Sequence, residues 1–130
     1  MNTLILLIAH FPTASAFREA LDAMRLPYDK NTLHAFDVHN VAKPKETIAS
    51  IEQIIKKYSG QSVLILTDLI GSSPFHIAKQ LATLHQDKQI RLITGVNLPM
   101  VLKAISYQTL PVDELSTKIL LSTTESIVIL

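Results

Sequence analysis

The chain has 130 residues, the size of one ordinary domain, and 48% of them are hydrophobic, enough to close a proper core. Its 12 basic and 11 acidic side chains are scattered and leave a formal charge of +1, so there is no electrostatic footprint for nucleic acid or an anionic membrane. The absence of cysteine removes disulfides, thiolate metal sites and cysteine nucleophiles, and accords with a reducing compartment.

The first apolar run, Leu4 to Ala9, has no Lys or Arg before it and falls far short of the roughly 18 residues of a membrane span. It reads as a strand, neither signal peptide nor anchor. Phe17, Leu21 and Met24 then recur at helical spacing and form one apolar stripe. Thr32 to Val38 is the second short run. A second stripe, Ile48, Ile51, Ile55 and Tyr58, follows, with Gly60 as the residue just past the helix end. Val63 to Thr67 and Ile90 to Thr94 are the third and fourth runs, and glycines Gly71 and Gly95 come after them. Three of the four runs lack the polar alternation of a sheet with one wet face, so they read as strands covered on both sides. Leu98, Val101, Leu102 and Ile105 predict a short helix, and Val112 to Thr123 another.

Five of the six prolines, Pro12, Pro44, Pro74, Pro99 and Pro111, stand where a helical pattern begins and a missing N–H costs nothing. With no repeat, linker or low-complexity stretch, residues 1–130 read as one domain. Strands alternating with helices predict an α/β fold, a three-layer sandwich around a central four-stranded, mainly parallel sheet. The apolar pentapeptide Ser126 to Leu130 adds a short C-terminal strand that needs a pairing partner.

In an open parallel sheet the binding crevice lies beyond the carboxyl ends of the strands. His10 follows the first strand directly, and Asp68 follows the third within Thr67-Asp-Leu-Ile-Gly-Ser-Ser-Pro-Phe75. If the two strands are neighbours, the carboxylate can accept the Nδ1 proton of the imidazole. That leaves the Nε2 lone pair free and steadies the positive charge that develops when this nitrogen attacks phosphorus. The same loop runs through Ser72 and Ser73 into a helix, whose free N–H groups, with the two hydroxyls, suit phosphate oxygens. Thr94 to Pro99 makes a further turn into a helix at the same edge and would form a wall.

Plainer readings stand beside these. His10 and Asp68 each suit a turn, and Ser72 and Ser73 before Pro74 make an N-cap that needs no ligand. His34, His39, His76 and His85 have no metal-ligand spacing and read as strand-face, loop and helix-surface residues, so no metal is expected. No Walker or dinucleotide fingerprint occurs, and no cofactor is expected. A receiver-like domain phosphorylated on aspartate ranks last, because the acidic cluster after the first strand is missing.

With these segments the sequence resembles the mannose-type enzyme IIA components of the bacterial phosphoenolpyruvate-dependent sugar phosphotransferase system. The resemblance spans nearly the whole chain and rests on Leu-Ile-Ala-His10, on Thr67 to Phe75, and on Thr94-Gly-Val-Asn-Leu-Pro-Met100. It implies that His10 is the phosphorylation site, that Asp68 orients it, and that Ser73 lies at the phosphate-receiving helix start. It also implies a cytoplasmic homodimer in which Ser126 to Leu130 is exchanged between subunits and adds to the partner's sheet. The implied partners are the histidine phosphocarrier protein, which gives the phosphoryl group, and a IIB component, which takes it. The membrane would be met only indirectly, through a IIC/IID permease. The alternative is a phosphorylation-dependent regulatory module with the same phosphohistidine and no transport role. Two positions depart from the family: Phe11 follows the histidine where glycine is usual, and Ser72 replaces the second glycine of a Gly-Gly-Ser-Pro segment.

Overall fold

The computed structural model describes residues 2–39 and 43–130. Four strands, β1 (Leu4–His10), β2 (Leu33–Val38), β3 (Val63–Thr67) and β4 (Ile90–Ile93), form one sheet in the order β2-β1-β3-β4. All three pairings are parallel. Among the described residues five α-helices connect or follow the strands: α1 (Thr13–Ala23), α2 (Pro44–Lys57), α3 (Ser73–Leu84), α4 (Leu98–Ser106) and α5 (Val112–Glu125).

The period-2 alternation of β1 explains the layering, because every residue from Leu4 to Ala9 is buried. Ile5, Leu7 and Ala9 pack with α1, α4 and α5 through Leu21, Val101 and Leu115. Leu4, Leu6 and Ile8 face the other way, onto α2 and α3 through Ile51, Ile55 and Leu81. A central strand buried on both faces has no polar position to spare, hence its uninterrupted apolar run.

The strand order places β1 between β2 and β3. The chain leaves β1 towards one side for β2, then crosses to the other side for β3, so the reversal point lies between β1 and β3. Ligands of open α/β sheets bind at the carboxyl edge of that point. His10 ends β1 and Asp68 follows β3, so both stand there.

Each proline-led helix start is present: Pro12 and Pro111 precede α1 and α5, and Pro44, Pro74 and Pro99 lie in the first turns of α2, α3 and α4. Some local readings need correction. Met24 is not part of a buried stripe; it is the exposed C-cap of α1, and the chain turns away at Arg25, whose φ is 55°. Ala14 takes its place in the buried face. Gly60 adopts a φ of 86°, but two residues past the α2 cap at Tyr58, one later than the C′ position. Thr32 belongs to a short 3-10 turn (Lys30–Thr32) and not to β2. Finally, α5 runs to Glu125, and residues 127–130 are exposed, with no strand pairing among the described residues.

Candidate functional site

The register that pairs Ile8 with Thr67 brings the ends of β1 and β3 level. Asp68 Oδ2 then accepts two bonds from His10, one from its backbone N–H at 2.9 Å and one from ring Nδ1 at 2.8 Å. Asp68 Oδ1 accepts the Leu69 N–H at 2.8 Å. The carboxylate thus fixes both the main chain and the ring of His10.

The charge state of Asp68 settles the tautomer. Burial raises its pKa, but the bonds from the His10 N–H, the His10 ring and the Leu69 N–H, with the attraction of the ring's charge, together hold it below the ordinary carboxylate value. An ionised carboxylate only accepts, so Nδ1 carries the proton and the lone pair of a neutral ring sits on Nε2. The His10 side chain is 34% exposed and that of Asp68 16%, an arrangement in which the carboxylate is sheltered while the ring still meets solvent.

The loop after Asp68 is shaped by Gly71, which adopts a φ of 81° in the left-handed region that favours glycine. Ser72 becomes the N-cap of α3, with both its N–H (3.3 Å) and its hydroxyl (2.6 Å) directed to the Leu69 carbonyl. The Ser72 hydroxyl proton is therefore committed within the loop and does not stand open to an anion, contrary to the expectation from sequence. The first bond of α3 runs from the His76 N–H to the Ser72 carbonyl, so the amides of Ser73 and Phe75 lie ahead of the helical ladder. Ser73 is exposed at this helix start.

The loop after β4 closes one side, as a wall. Gly95 and Val96 donate their N–H groups to the carbonyls of Asp68 (2.8 Å) and Thr67 (2.9 Å), and Asn97 caps α4 by accepting the Met100 N–H at 3.0 Å.

Two features were not read from the sequence. Asp37, in β2, accepts both the N–H and the hydroxyl of Ser15 and so holds the first turn of α1 against β2. His39 lies beside His10: its ring stacks on Phe11 with centroids 4.4 Å apart and an interplanar angle of 24°. His10, Phe11, Val38 and His39 line a small cavity of about 140 Å³. The sequence carries no signal of it, because it follows from register: His10 pairs with Val38, and the next residues along are Phe11 and His39. A larger concavity of about 320 Å³, lined by residues 59–62 and 87–89 at the amino edge of β3 and β4, holds no paired histidine and carboxylate. Among the described residues no group of three or more metal-ligating side chains is assembled, and no helix is long and apolar enough to cross a membrane.

Fold and site together define an α/β protein with a carboxylate-bound histidine at the carboxyl edge of a parallel sheet. The family model described as "PTS system fructose IIA component", the mannose-type EIIA family, matches residues 4–120. The sorbose-specific EIIA component of Lacticaseibacillus casei is 30% identical over 118 residues, covering 85% of this chain and 78% of that protein. Two solved structures share the fold with a TM-score of 0.85: an EIIA component from Streptococcus agalactiae and a mannose/sorbose-specific IIA subunit from Enterococcus faecalis. The first is 24% identical and covers 96% of this chain and 95% of its own; the second is 20% identical and covers 100% and 96%. The chain belongs to the mannose-type EIIA family of the sugar phosphotransferase system, and a phosphoryl carrier role in that system goes with membership.

Proposed function

We propose that residues 1–130 form a single cytoplasmic IIA domain that accepts a phosphoryl group on His10 from the histidine phosphocarrier protein and passes it to a IIB component for sugar uptake. The observation that carries this reading is the 2.8 Å contact between His10 Nδ1 and Asp68 at the switch point of the sheet. In the step itself the Nε2 lone pair forms the new N–P bond as the donor's N–P bond breaks in line, and that electron pair returns to the donor nitrogen. The ring of His10 becomes positively charged, and Asp68 faces that charge. The Ser73 amide at the start of α3 receives phosphate oxygens, with Ser72 shaping the loop that presents it. No cofactor or metal enters the step.

A protein partner suits the rim of the site. Phe11, Leu69 and Ile70 are 57%, 63% and 75% exposed, in the segments that directly follow His10 and Asp68. Apolar side chains of this size, gathered around a small polar centre, fit a protein surface better than a free sugar. Incubation with phosphoenolpyruvate, enzyme I and the phosphocarrier protein, followed by mapping of acid-labile phosphate and then by addition of a IIB component, tests the reading. Label is expected on His10 and is expected to move on; label on another residue, or none, rejects it.

The reading includes a homodimer. Ile127, Val128, Ile129 and Leu130 are exposed in the single chain, and a second copy that offered a sheet edge would bury their side chains and satisfy their amides. Removal of residues 126–130 is expected to convert the dimer to a monomer of lower thermal stability, read by sedimentation and calorimetry. A full-length monomer at micromolar concentration, or a truncated chain that stays dimeric, rejects strand exchange.

A further inference from the structure

We infer that His39 is a second imidazole of this site, which donates an N–H to an oxygen of the phosphoryl group on His10, and that Phe11 is the positioning residue that holds its ring. The inference rests on His10 being the phosphorylated residue.

The placement follows from the sheet. Strand β1 lies between β2 and β3, so His10 has a neighbour on each side. On the β3 side stands Asp68, and beyond it the start of α3. On the β2 side the ladder continues past the last strand pair, because the Phe11 N–H donates to the Val38 carbonyl at 3.0 Å. Phe11 and His39 are the next residues along, and their rings stack at 4.4 Å. The stack limits the rotation of an otherwise exposed imidazole, and it does so with the residue that directly follows the nucleophile.

The cavity that these side chains share with His10 measures about 140 Å³. That is roughly ten times the space one water needs, so a tetrahedral anion fits. Its lining residues are His10, Phe11, Val38 and His39, so His39 supplies the polar side chain other than His10 itself. A neutral imidazole always keeps one N–H. In phosphoryl transfer the charge is spread over three equatorial oxygens, and donors on opposite sides of the nucleophile serve different ones. The α3 amides serve the β3 side and His39 the β2 side. The His39 proton stays on its nitrogen throughout, and the N–P bond forms and breaks at His10 Nε2 alone.

The full-length chain and the variants His39→Ala, His39→Gln and Phe11→Leu test this. Each is phosphorylated by the phosphocarrier protein and, separately, by phosphoramidate, a small donor whose P–N bond breaks with ammonia as the leaving group. The readouts are the initial rate at His10 and the 31P chemical shift of the phosphorylated ring. In His39→Ala the carrier rate is expected to fall by about ten- to a hundredfold, the usual worth of a hydrogen bond to a charged group, with a displaced 31P signal. His39→Gln, which keeps an N–H, is expected to recover most of the rate, and Phe11→Leu to lie between. Wild-type rates and an unmoved 31P signal in His39→Ala, equal losses in the Ala and Gln variants, or label on His39 itself overturn the inference while His10 remains the site. Failure of both donors to label His10 in the unmodified chain overturns the proposed function and this inference together.

Discussion

Replacing His10 by alanine is expected to abolish phosphorylation while leaving the fold in place. The ring of His10 is one-third exposed, and the backbone N–H that anchors Asp68 survives the change. Four other histidines remain as competitors. His34 is engaged through Nε2 with the Asn31 carbonyl at 2.9 Å, and His76 is an exposed ring packed edge-on against Phe75. His85 has a carboxylate nearby, with Glu52 at 3.5 Å, but that distance is long for a hydrogen bond, and the residue caps the C-terminus of α3, where the helix presents carbonyls and repels an anion. His39 has no carboxylate bonded to its ring among the described residues, so nothing comparable to Asp68 steadies a charge there. Among the described residues, only His10 combines an acceptor on Nδ1, a free Nε2 and a helix start in the adjoining loop. The check is acid-labile label after incubation with the complete phosphorylation system, with circular dichroism to verify folding. Undiminished label in His10→Ala would move the site to one of the four.

The parts of this arrangement that could be read from the sequence are those that depend on short-range pattern. Strands buried on both faces must be apolar throughout, so Leu4 to Ala9 and Val63 to Thr67 announce themselves, and prolines at helix starts mark the boundaries between them. The same logic placed His10 and Asp68 at strand ends. Whether they touch depended on β1 and β3 being neighbours, which pattern alone leaves open and the strand order answers. Contacts set by register were not legible. Asp37 meets Ser15 and Phe11 meets His39 only because β2 pairs with β1 in one alignment, and a shift of a single residue would separate both pairs. The Ser72 hydroxyl depended on a different unknown, the backbone path through Gly71, which brings the Leu69 carbonyl within reach. Met24 failed for a third reason: helical period continues on paper after the helix has ended.

Replacing Asp68 by asparagine is expected to keep the fold and slow phosphoryl transfer to His10 by about 10²- to 10⁴-fold, the range found when a carboxylate that orients and steadies a catalytic histidine is neutralised. Two effects act in the same direction. An amide carries no charge to face the imidazolium that forms as Nε2 bonds to phosphorus. Its NH₂ group can also donate to Nδ1, which favours the tautomer whose proton sits on Nε2 and blocks attack. Stability should fall too, by about 1–2 kcal/mol, because one of the two oxygens becomes an NH₂ group and the backbone N–H that it accepted loses its partner. That loss has a definite pH dependence. Asp68 has a lower pKa in the folded chain than in the unfolded one, so its contribution is complete above the ordinary carboxylate pKa, near pH 4, and is lost as the pH falls through the lower folded value. The gap in urea midpoint between wild type and Asp68→Asn should therefore be full at pH 7 and narrow on acidification below about pH 4. Wild-type transfer rates in the variant, with a midpoint gap that does not change with pH, would leave Asp68 a residue of the turn and remove the carboxylate from the mechanism.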